Sequence, residues 1–333
     1  MERLEFAQAV ARIRVLEKRL LDKSNYEQLI GLNSEKEWVR WLQDRNYSSL
    51  LAAIDQGSDP EKTLNLILAS EYELVKSISP EPQITTLLGL KYDYHNLMVL
   101  IKSKLGGEER ADLCVQAGNL PPSVLQRDLE RGALRDWPEQ LSLTAVEALK
   151  QFELNRDPLE MDWIITRSQL SHMLSEVESY NSDLIKDWVL QKIDLYHLTV
   201  LLGGQRRGDP EADMDGRFVP GGRLDKAWLH RMYREPIESL IKKLAHTDFG
   251  ALLKVCSNTL ADGDLSTCLA DQSEKLTLAK LQAASRISFG PEPLFSYLLN
   301  KEAELRNLRM ILLGFQVGSS ADEIMERLRM PNA

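Results

Sequence analysis

Apolar residues recur at intervals of three and four positions along almost the whole chain, and this pattern predicts helices throughout. In the N-terminal segment, Phe6, Val10, Ile13 and Leu16 fall on one side of a helix, and the charged residues fall largely on the other. No apolar–polar alternation is long enough to indicate a sheet. The pattern therefore predicts an all-α fold.

Two clusters of glycine and proline interrupt the helical pattern and indicate where the chain divides. The first lies at residues 106–122, and the second, at 203–222, is denser in glycine. Such stretches are typical of linkers and surface loops. The third predicted domain therefore opens with a glycine-rich loop at 203–222. The predicted helical domains are residues 1–106, 107–204 and 205–333.

Each predicted domain contains, near its end, the same short pattern: an acid, two residues, Asn or His, Leu, two residues and a pair of aliphatic residues. The acids and their partners three positions later are Asp93 and Asn96, Asp194 and His197, and Glu304 and Asn307. The acids lie 101 and 110 residues apart. This period is too long for a short-repeat solenoid, and it indicates a helical module present in three copies.

The acid of each motif falls within the apolar stripe of its helix, because successive residues turn by about 100°. A buried carboxylate costs several kcal/mol unless it is paired or hydrogen-bonded. We therefore expect a cation or backbone N–H donors beside Asp93, Asp194 and Glu304, and Arg12 or Arg14 is a candidate partner for one of them. With one acid per copy, the three cannot form a general acid–base pair, so we interpret them as packing residues.

Charge and cysteine content narrow the class of protein. The chain carries 50 acidic and 41 basic residues, a net charge of −9, which disfavours non-specific nucleic-acid binding. No apolar stretch approaches the roughly 20 residues needed to cross a bilayer, and the N-terminus does not resemble a signal peptide. Cys114, Cys256 and Cys268 are odd in number and widely spaced, so we predict no disulfide framework and a reducing cytosol.

Motifs that carry catalytic chemistry are not found in the sequence. The five histidines lack the spacing of metal ligands, the glycine pairs lack the Lys and Ser/Thr of a phosphate loop, and no serine lies in a nucleophile elbow. We therefore predict no catalytic residue, no cofactor and no bound metal.

Several segments resemble the C subunit of the V-type ATPases and A-type ATP synthases, the prokaryotic counterpart of the eukaryotic d subunit. The similar segments are 11–29, 90–97, 157–162 and 293–328, and the stretch 293–314 is the strongest of these matches. The resemblance covers the whole chain and includes the threefold motif. The chain departs from the family in the glycine- and aspartate-rich segment 203–222 and at His197, which stands where the family has Asn.

The resemblance implies three similar helical domains arranged as a funnel around a pseudo-threefold axis. It also implies a non-catalytic rotor subunit, present in one copy in a hetero-oligomeric complex at the cytoplasmic face of the membrane. Its partners would be the central-stalk subunits of D and F type and the membrane ring of proteolipid subunits. The protein would transmit torque for ATP-driven transport of hydrogen or other ions, or for ion-driven ATP synthesis.

Two other functions remain open at this point. A helical scaffold or adaptor would form a continuous solenoid with one hydrophobic groove. A helical enzyme would need carboxylates and histidines from different copies of the module to converge on one site.

Overall fold

The computed structural model describes residues 3–32, 35–45, 47–56, 59–257 and 265–329. These residues form seventeen α-helices joined by turns and short 3₁₀ segments, with no strand among them, which confirms the predicted all-α fold. The helices are α1 (Ala7–Glu17), α2 (Lys23–Ile30), α3 (Glu35–Asp44), α4 (Ser48–Asp55), α5 (Pro60–Ile78), α6 (Gln83–Gly106), α7 (Pro122–Arg131), α8 (Glu139–Asn155), α9 (Pro158–Val177), α10 (Asp183–Arg207), α11 (Glu211–Arg217), α12 (Lys226–Tyr233), α13 (Ile237–Lys243), α14 (Asp248–Ser257), α15 (Leu265–Leu281), α16 (Glu292–Gln316) and α17 (Ala321–Arg327).

Polar residues fix where many of the helices begin. Asp22 opens α2 and Ser320 opens α17, each in a reciprocal capping box with the residue three positions on. Asp59 caps α5 and is followed by proline at the first helical position, and Ser182 caps α10. At the other end of α10, Gly208 has a φ of +71°, a conformation that glycine adopts at little cost.

The three motifs lie in the three longest helices, α6, α10 and α16, which contain 24, 25 and 25 residues. In α16, sixteen residues are buried, so this helix faces other parts of the protein on most of its circumference. The buried charged residues of this helix therefore need partners inside the protein.

The chain forms two compact units. The first comprises residues 1–92, 114–119 and 278–333, and so combines the beginning and the end of the chain. Within it, α16 packs against α1, α5 and α17, and α17 also contacts α2. Buried apolar side chains of these helices include Ile13, Leu29, Leu64 and Leu308.

The second unit comprises residues 93–113 and 120–277. Within it, α9 packs against α8 and α10, and α10 also contacts α11 and α12. Its apolar core joins α10 to the later helices through Leu198, Leu201, Leu229, Leu253 and Leu269. The three-domain boundaries and the funnel arrangement stay predictions.

The glycine-rich segment 203–222 was expected to be a loop, and this prediction was wrong for much of its length. Residues 203–207 complete α10, and residues 211–217 form α11. Gly204 lies within α10, and its missing side chain lets Met214 and Tyr233 pack close to the helix. A Cβ at this position would come within 3.1 Å of both residues. The glycine at this position therefore serves close packing and does not mark a linker.

The expectation of no disulfide was also wrong. Cys256 and Cys268 are joined by a disulfide in the second unit, with their Cα atoms 5.7 Å apart. The two cysteines lie twelve positions apart along the chain, and the spacing did not reveal the pair because the packing of α14 and α15 brings them together.

Candidate functional site

Glu304 of α16, the acid of the third motif, is bound by three donors. Its side chain is 2% exposed, and its carboxylate accepts hydrogen bonds from the Tyr47 hydroxyl, the Leu21 backbone N–H and the Lys301 ammonium group. The Lys301 Nζ lies 2.6 Å from Glu304 Oε1. Burial, and next the nearby Glu304, raise the pKa of Tyr47 well above its ordinary value, so its hydroxyl stays a donor.

Lys301 links this carboxylate to a second acid. Its Nζ lies 2.9 Å from the Tyr47 hydroxyl and 4.0 Å from Glu71, which in turn accepts a 2.7 Å hydrogen bond from the Tyr297 hydroxyl. The two acids thus share one cation and accept hydrogen bonds from two hydroxyl groups, which offsets part of the cost of burying them.

Asn307 follows Glu304 by one helical turn and binds the chain twenty-two residues later. Its Nδ2 donates to the Arg329 carbonyl at 3.0 Å, and its Oδ1 accepts from the Arg329 N–H at 2.9 Å. Because an amide side chain has one donor end and one acceptor end, Asn307 satisfies both backbone groups of one residue at the same time.

Asp194 of α10 is fully buried, and its hydrogen bonds come from the backbone. Its Oδ1 accepts from the N–H groups of Arg223 and Leu224, at 2.7 and 2.9 Å, while its Oδ2 has no hydrogen-bond partner. Burial raises the pKa of Asp194, and the two backbone N–H groups act in the opposite direction. The turn above it depends on Gly222, which has a φ of +88° and has no room for a Cβ, because a Cβ would lie 2.7 Å from Asp194 Oδ1.

His197 occupies the same position relative to Asp194 that Asn307 occupies relative to Glu304. Its Nε2 lies 3.1 Å from both the N–H and the carbonyl of Val219, again twenty-two residues later. A single ring nitrogen is either donor or acceptor, so it satisfies only one of these groups at a time. The other ring nitrogen, Nδ1, is buried without a partner, and burial lowers the pKa of His197 to about 4.

Asp93 of α6, in the first copy of the motif, also accepts a hydrogen bond from a distant backbone N–H group. It is buried, and its Oδ1 accepts from the Leu120 backbone N–H at 3.0 Å, twenty-seven residues later. Asn96, one turn further along α6, is fully buried.

The prediction of a cation or backbone N–H donors beside each acid is therefore confirmed: Asp93 and Asp194 have backbone donors, and Glu304 has both a cation and a backbone donor. The candidates Arg12 and Arg14 were wrong. Arg12 is exposed, and Arg14 binds Glu17 and the carbonyls of Ala284 and Ile287. That the motif residues hold the helices in place and take no part in catalysis stays a prediction.

A second buried acid, Glu302, was not singled out from the sequence. Its carboxylate accepts from the hydroxyls of Tyr72 and Tyr92 and from the Lys91 ammonium group. Burial lowers the pKa of Lys91, and Glu302 acts in the opposite direction. The sequence contains a signal for this ion pair. Lys91 and Glu302 occupy the same position in two copies of the motif, two residues before the acid, and they carry opposite charges.

Two kinds of feature are absent from the described parts of the chain. No helix within them is both long enough and apolar enough to span a membrane. In the same ranges, no three His, Cys, Asp or Glu side chains are grouped as metal ligands would be.

The fold and the motif contacts define an all-helical protein in which buried polar residues on long helices form hydrogen bonds with distant stretches of backbone. A sequence model described as the ATP synthase (C/AC39) subunit matches residues 9–327. Because this match covers nearly the whole chain, the chain belongs to the ATP synthase (C/AC39) subunit family.

Individual relatives agree with this assignment over most of their lengths. The chain is 25% identical over 329 residues to the C subunit of the V-type sodium ATPase of Enterococcus hirae, covering 98% of each chain. It is 24% identical over 342 residues to the C subunit of the A-type ATP synthase of Methanocaldococcus jannaschii, covering 97% of this chain and 86% of the relative. The corresponding protein of Thermococcus kodakarensis is 26% identical over 314 residues, with 91% and 84% covered.

Proposed function

We propose that this chain is the central rotor subunit of a prokaryotic V-type or A-type ATPase, and that it couples the central stalk to the membrane ring of proteolipid subunits. The observation that carries the proposal is the family match over residues 9–327, together with relatives named as the C subunit of such complexes that align over most of their length. A match of this extent supports the role of the whole protein, because no large part of the chain is left over for another function.

The contacts of the motif helices support a mechanical role. A protein that carries torque must resist sliding of its helices, and a side chain that binds backbone twenty or more residues away opposes such sliding. Glu304 and Asn307 do so in the first unit, and Asp93 and Asp194 do so in the second. Removing one partner of a buried ion pair such as Glu304 and Lys301 costs about 3–5 kcal/mol. A neutral hydrogen bond such as those of Asn307 contributes about 0.5–1.5 kcal/mol.

In this proposal the protein is non-catalytic and is present in one copy in the hetero-oligomeric complex. It lies at the cytoplasmic face of the membrane, and its partners are the stalk subunits of D and F type on one side and the proteolipid ring on the other. An interface that does not slip under load needs a large buried area, of the order of 2,000 Å² or more, as in permanent complexes.

The direct test is recovery of the complex from membranes of the organism that encodes the chain. The full chain with an affinity tag should recover the catalytic, stalk and proteolipid subunits from detergent-solubilised membranes. Recovery of none of them would contradict the proposal and favour a helical scaffold.

A functional test separates coupling from catalysis. A complex assembled without this chain should still hydrolyse ATP in its soluble part, but it should not transport ions. Adding back the purified chain should restore ion transport. Loss of the soluble ATPase activity itself on removal of the chain would contradict the non-catalytic role.

A further inference from the structure

The disulfide between Cys256 and Cys268 lies where α14 ends and α15 begins. Cys256 is in the last turn of α14 and belongs to the apolar core of the second unit, together with Leu253 and Leu269. Cys268 is in the first turn of α15 and is only partly buried against the same core. The two residues therefore differ in access, because solvent reaches the second more readily than the first.

We propose that Cys256 and Cys268 form a reversible redox staple that holds α14 to α15 when the cell becomes oxidising. Disulfides in cytosolic proteins are rare, and those that do form are commonly transient and respond to redox conditions. In the bonded state the Cα atoms lie 5.7 Å apart, within the range that disulfides show. This inference rests on the cytoplasmic location in the proposed function, and it does not depend on which partners the chain binds.

A low-molecular-weight disulfide such as oxidised glutathione is a sufficient oxidant. The Cys268 thiolate attacks one sulfur of glutathione disulfide, which forms a mixed disulfide and releases one glutathione thiolate. The Cys256 thiolate then attacks the Cys268 sulfur and releases the second glutathione thiolate. Two electrons pass from the protein to the oxidant, and the two thiol protons are taken up by the two released glutathione thiolates.

The staple stabilises the second unit because it restricts the unfolded chain between residues 256 and 268. A loop of this length gives a stabilisation that corresponds to a rise in the thermal midpoint of about 5 °C or more in a unit of this size. In the reduced state, the shared apolar core that includes Leu253 and Leu269 still joins α14 and α15.

The test uses the purified full chain in buffers with graded ratios of reduced to oxidised glutathione. Thiols are counted by mass after labelling with a maleimide in denaturant, and the thermal midpoint is measured at each ratio. We expect three labelled cysteines at the reducing end, one at the oxidising end, and the midpoint to rise together with the loss of two thiols. Peptide mapping should join Cys256 to Cys268 and leave Cys114 outside any disulfide.

Two variants serve as matched controls. Cys114→Ala should keep the full redox response, and Cys268→Ala should abolish it while leaving two thiols at every ratio. If Cys268→Ala fails to fold, the comparison of reduced and oxidised wild-type protein still decides the matter. The proposal is overturned if three thiols persist at the most oxidising ratio, if the midpoint is the same in both states, or if the native disulfide resists reduction by glutathione.

Discussion

The third and the middle motif place equivalent residues on two long helices, yet the side-chain polar atoms of the third are all satisfied, whereas two of those in the middle motif are not. In α16, Glu304 has three donors, and Asn307 satisfies both backbone groups of Arg329. In α10, Asp194 Oδ2 and His197 Nδ1 are buried without partners. The same motif is therefore compatible with two levels of hydrogen-bond satisfaction, and His in place of Asn accounts for one of the two unsatisfied atoms.

The largest effect is expected from removing the carboxylate of the third motif. Glu304→Ala leaves the Lys301 ammonium group, the Tyr47 hydroxyl and the Leu21 N–H without their acceptor. We expect the first unit to lose about 3–5 kcal/mol of unfolding free energy, measured by urea denaturation of the full chain. The exposed Glu73→Ala should change it by less than about 0.5 kcal/mol. Equal effects of the two variants would contradict the importance of the buried contact.

A somewhat smaller effect is expected from crowding the middle motif. Gly222→Ala places a Cβ 2.7 Å from Asp194 Oδ1 and 2.9 Å from Ile193 Cγ2, at a residue with a φ of +88°. Steric overlap and backbone strain together should lower the unfolding free energy of the second unit by about 2–4 kcal/mol, measured by urea denaturation.

Gly216→Ala is the matched control for this substitution. Gly216 lies inside α11, and a Cβ there would meet nothing within 4 Å. Since alanine favours a helix over glycine by up to about 1 kcal/mol, this variant should be slightly stabilised in the same denaturation experiment. If Gly222→Ala leaves the unfolding free energy unchanged, the turn above Asp194 is not packed as tightly as the distances indicate.

Part of this comparison could be predicted from the sequence, and part could not. The helices, the burial of Asp93, Asp194 and Glu304 and their need for donors follow from periodicity and from the cost of a buried charge. The donors Tyr47 and Leu21 could not be predicted, because they lie 257 and 283 residues from Glu304 along the chain.

The wrong predictions have the same physical origin. Gly204 was interpreted as part of a linker, whereas Met214 and Tyr233, which require it to be small, become its neighbours only after folding. Cys256 and Cys268 form no recognisable spacing pattern, and it is the folding of α14 and α15 that joins them. Local sequence predicts which groups need partners, but tertiary packing chooses the partners.

The middle motif should also make stability depend on pH. Burial lowers the pKa of His197 from 6.5 to about 4, so between these values the unfolded chain binds a proton that the folded chain does not. The stability that the neutral ring contributes is present above pH 6.5 and is lost as the pH falls from 6.5 through about 4, by up to about 3 kcal/mol.

His197→Asn isolates the contribution of His197, because Asp194 is present in both proteins. The raised pKa of Asp194 changes the pH dependence of stability in the direction opposite to His197, and it does so equally in the wild type and the variant. The unfolding free energy of the wild type, measured in urea at a series of pH values, should fall more steeply than that of the variant between pH 6.5 and about 4. Parallel curves would show that His197 does not titrate differently in the folded and unfolded chain.

The substitution with the smallest expected effect, His197→Asn, tests the comparison most directly, because it converts the middle motif into the third. At pH 7, His197→Asn supplies one donor and one acceptor to the Val219 backbone, as Asn307 does for Arg329, and it removes the unpartnered Nδ1. We expect the second unit to gain about 0.5–1.5 kcal/mol of unfolding free energy. The reverse substitution, Asn307→His, should destabilise the first unit, because the ring cannot satisfy both groups of Arg329. If His197→Asn destabilises the protein, the shape of the imidazole matters more at this position than its missing hydrogen bonds.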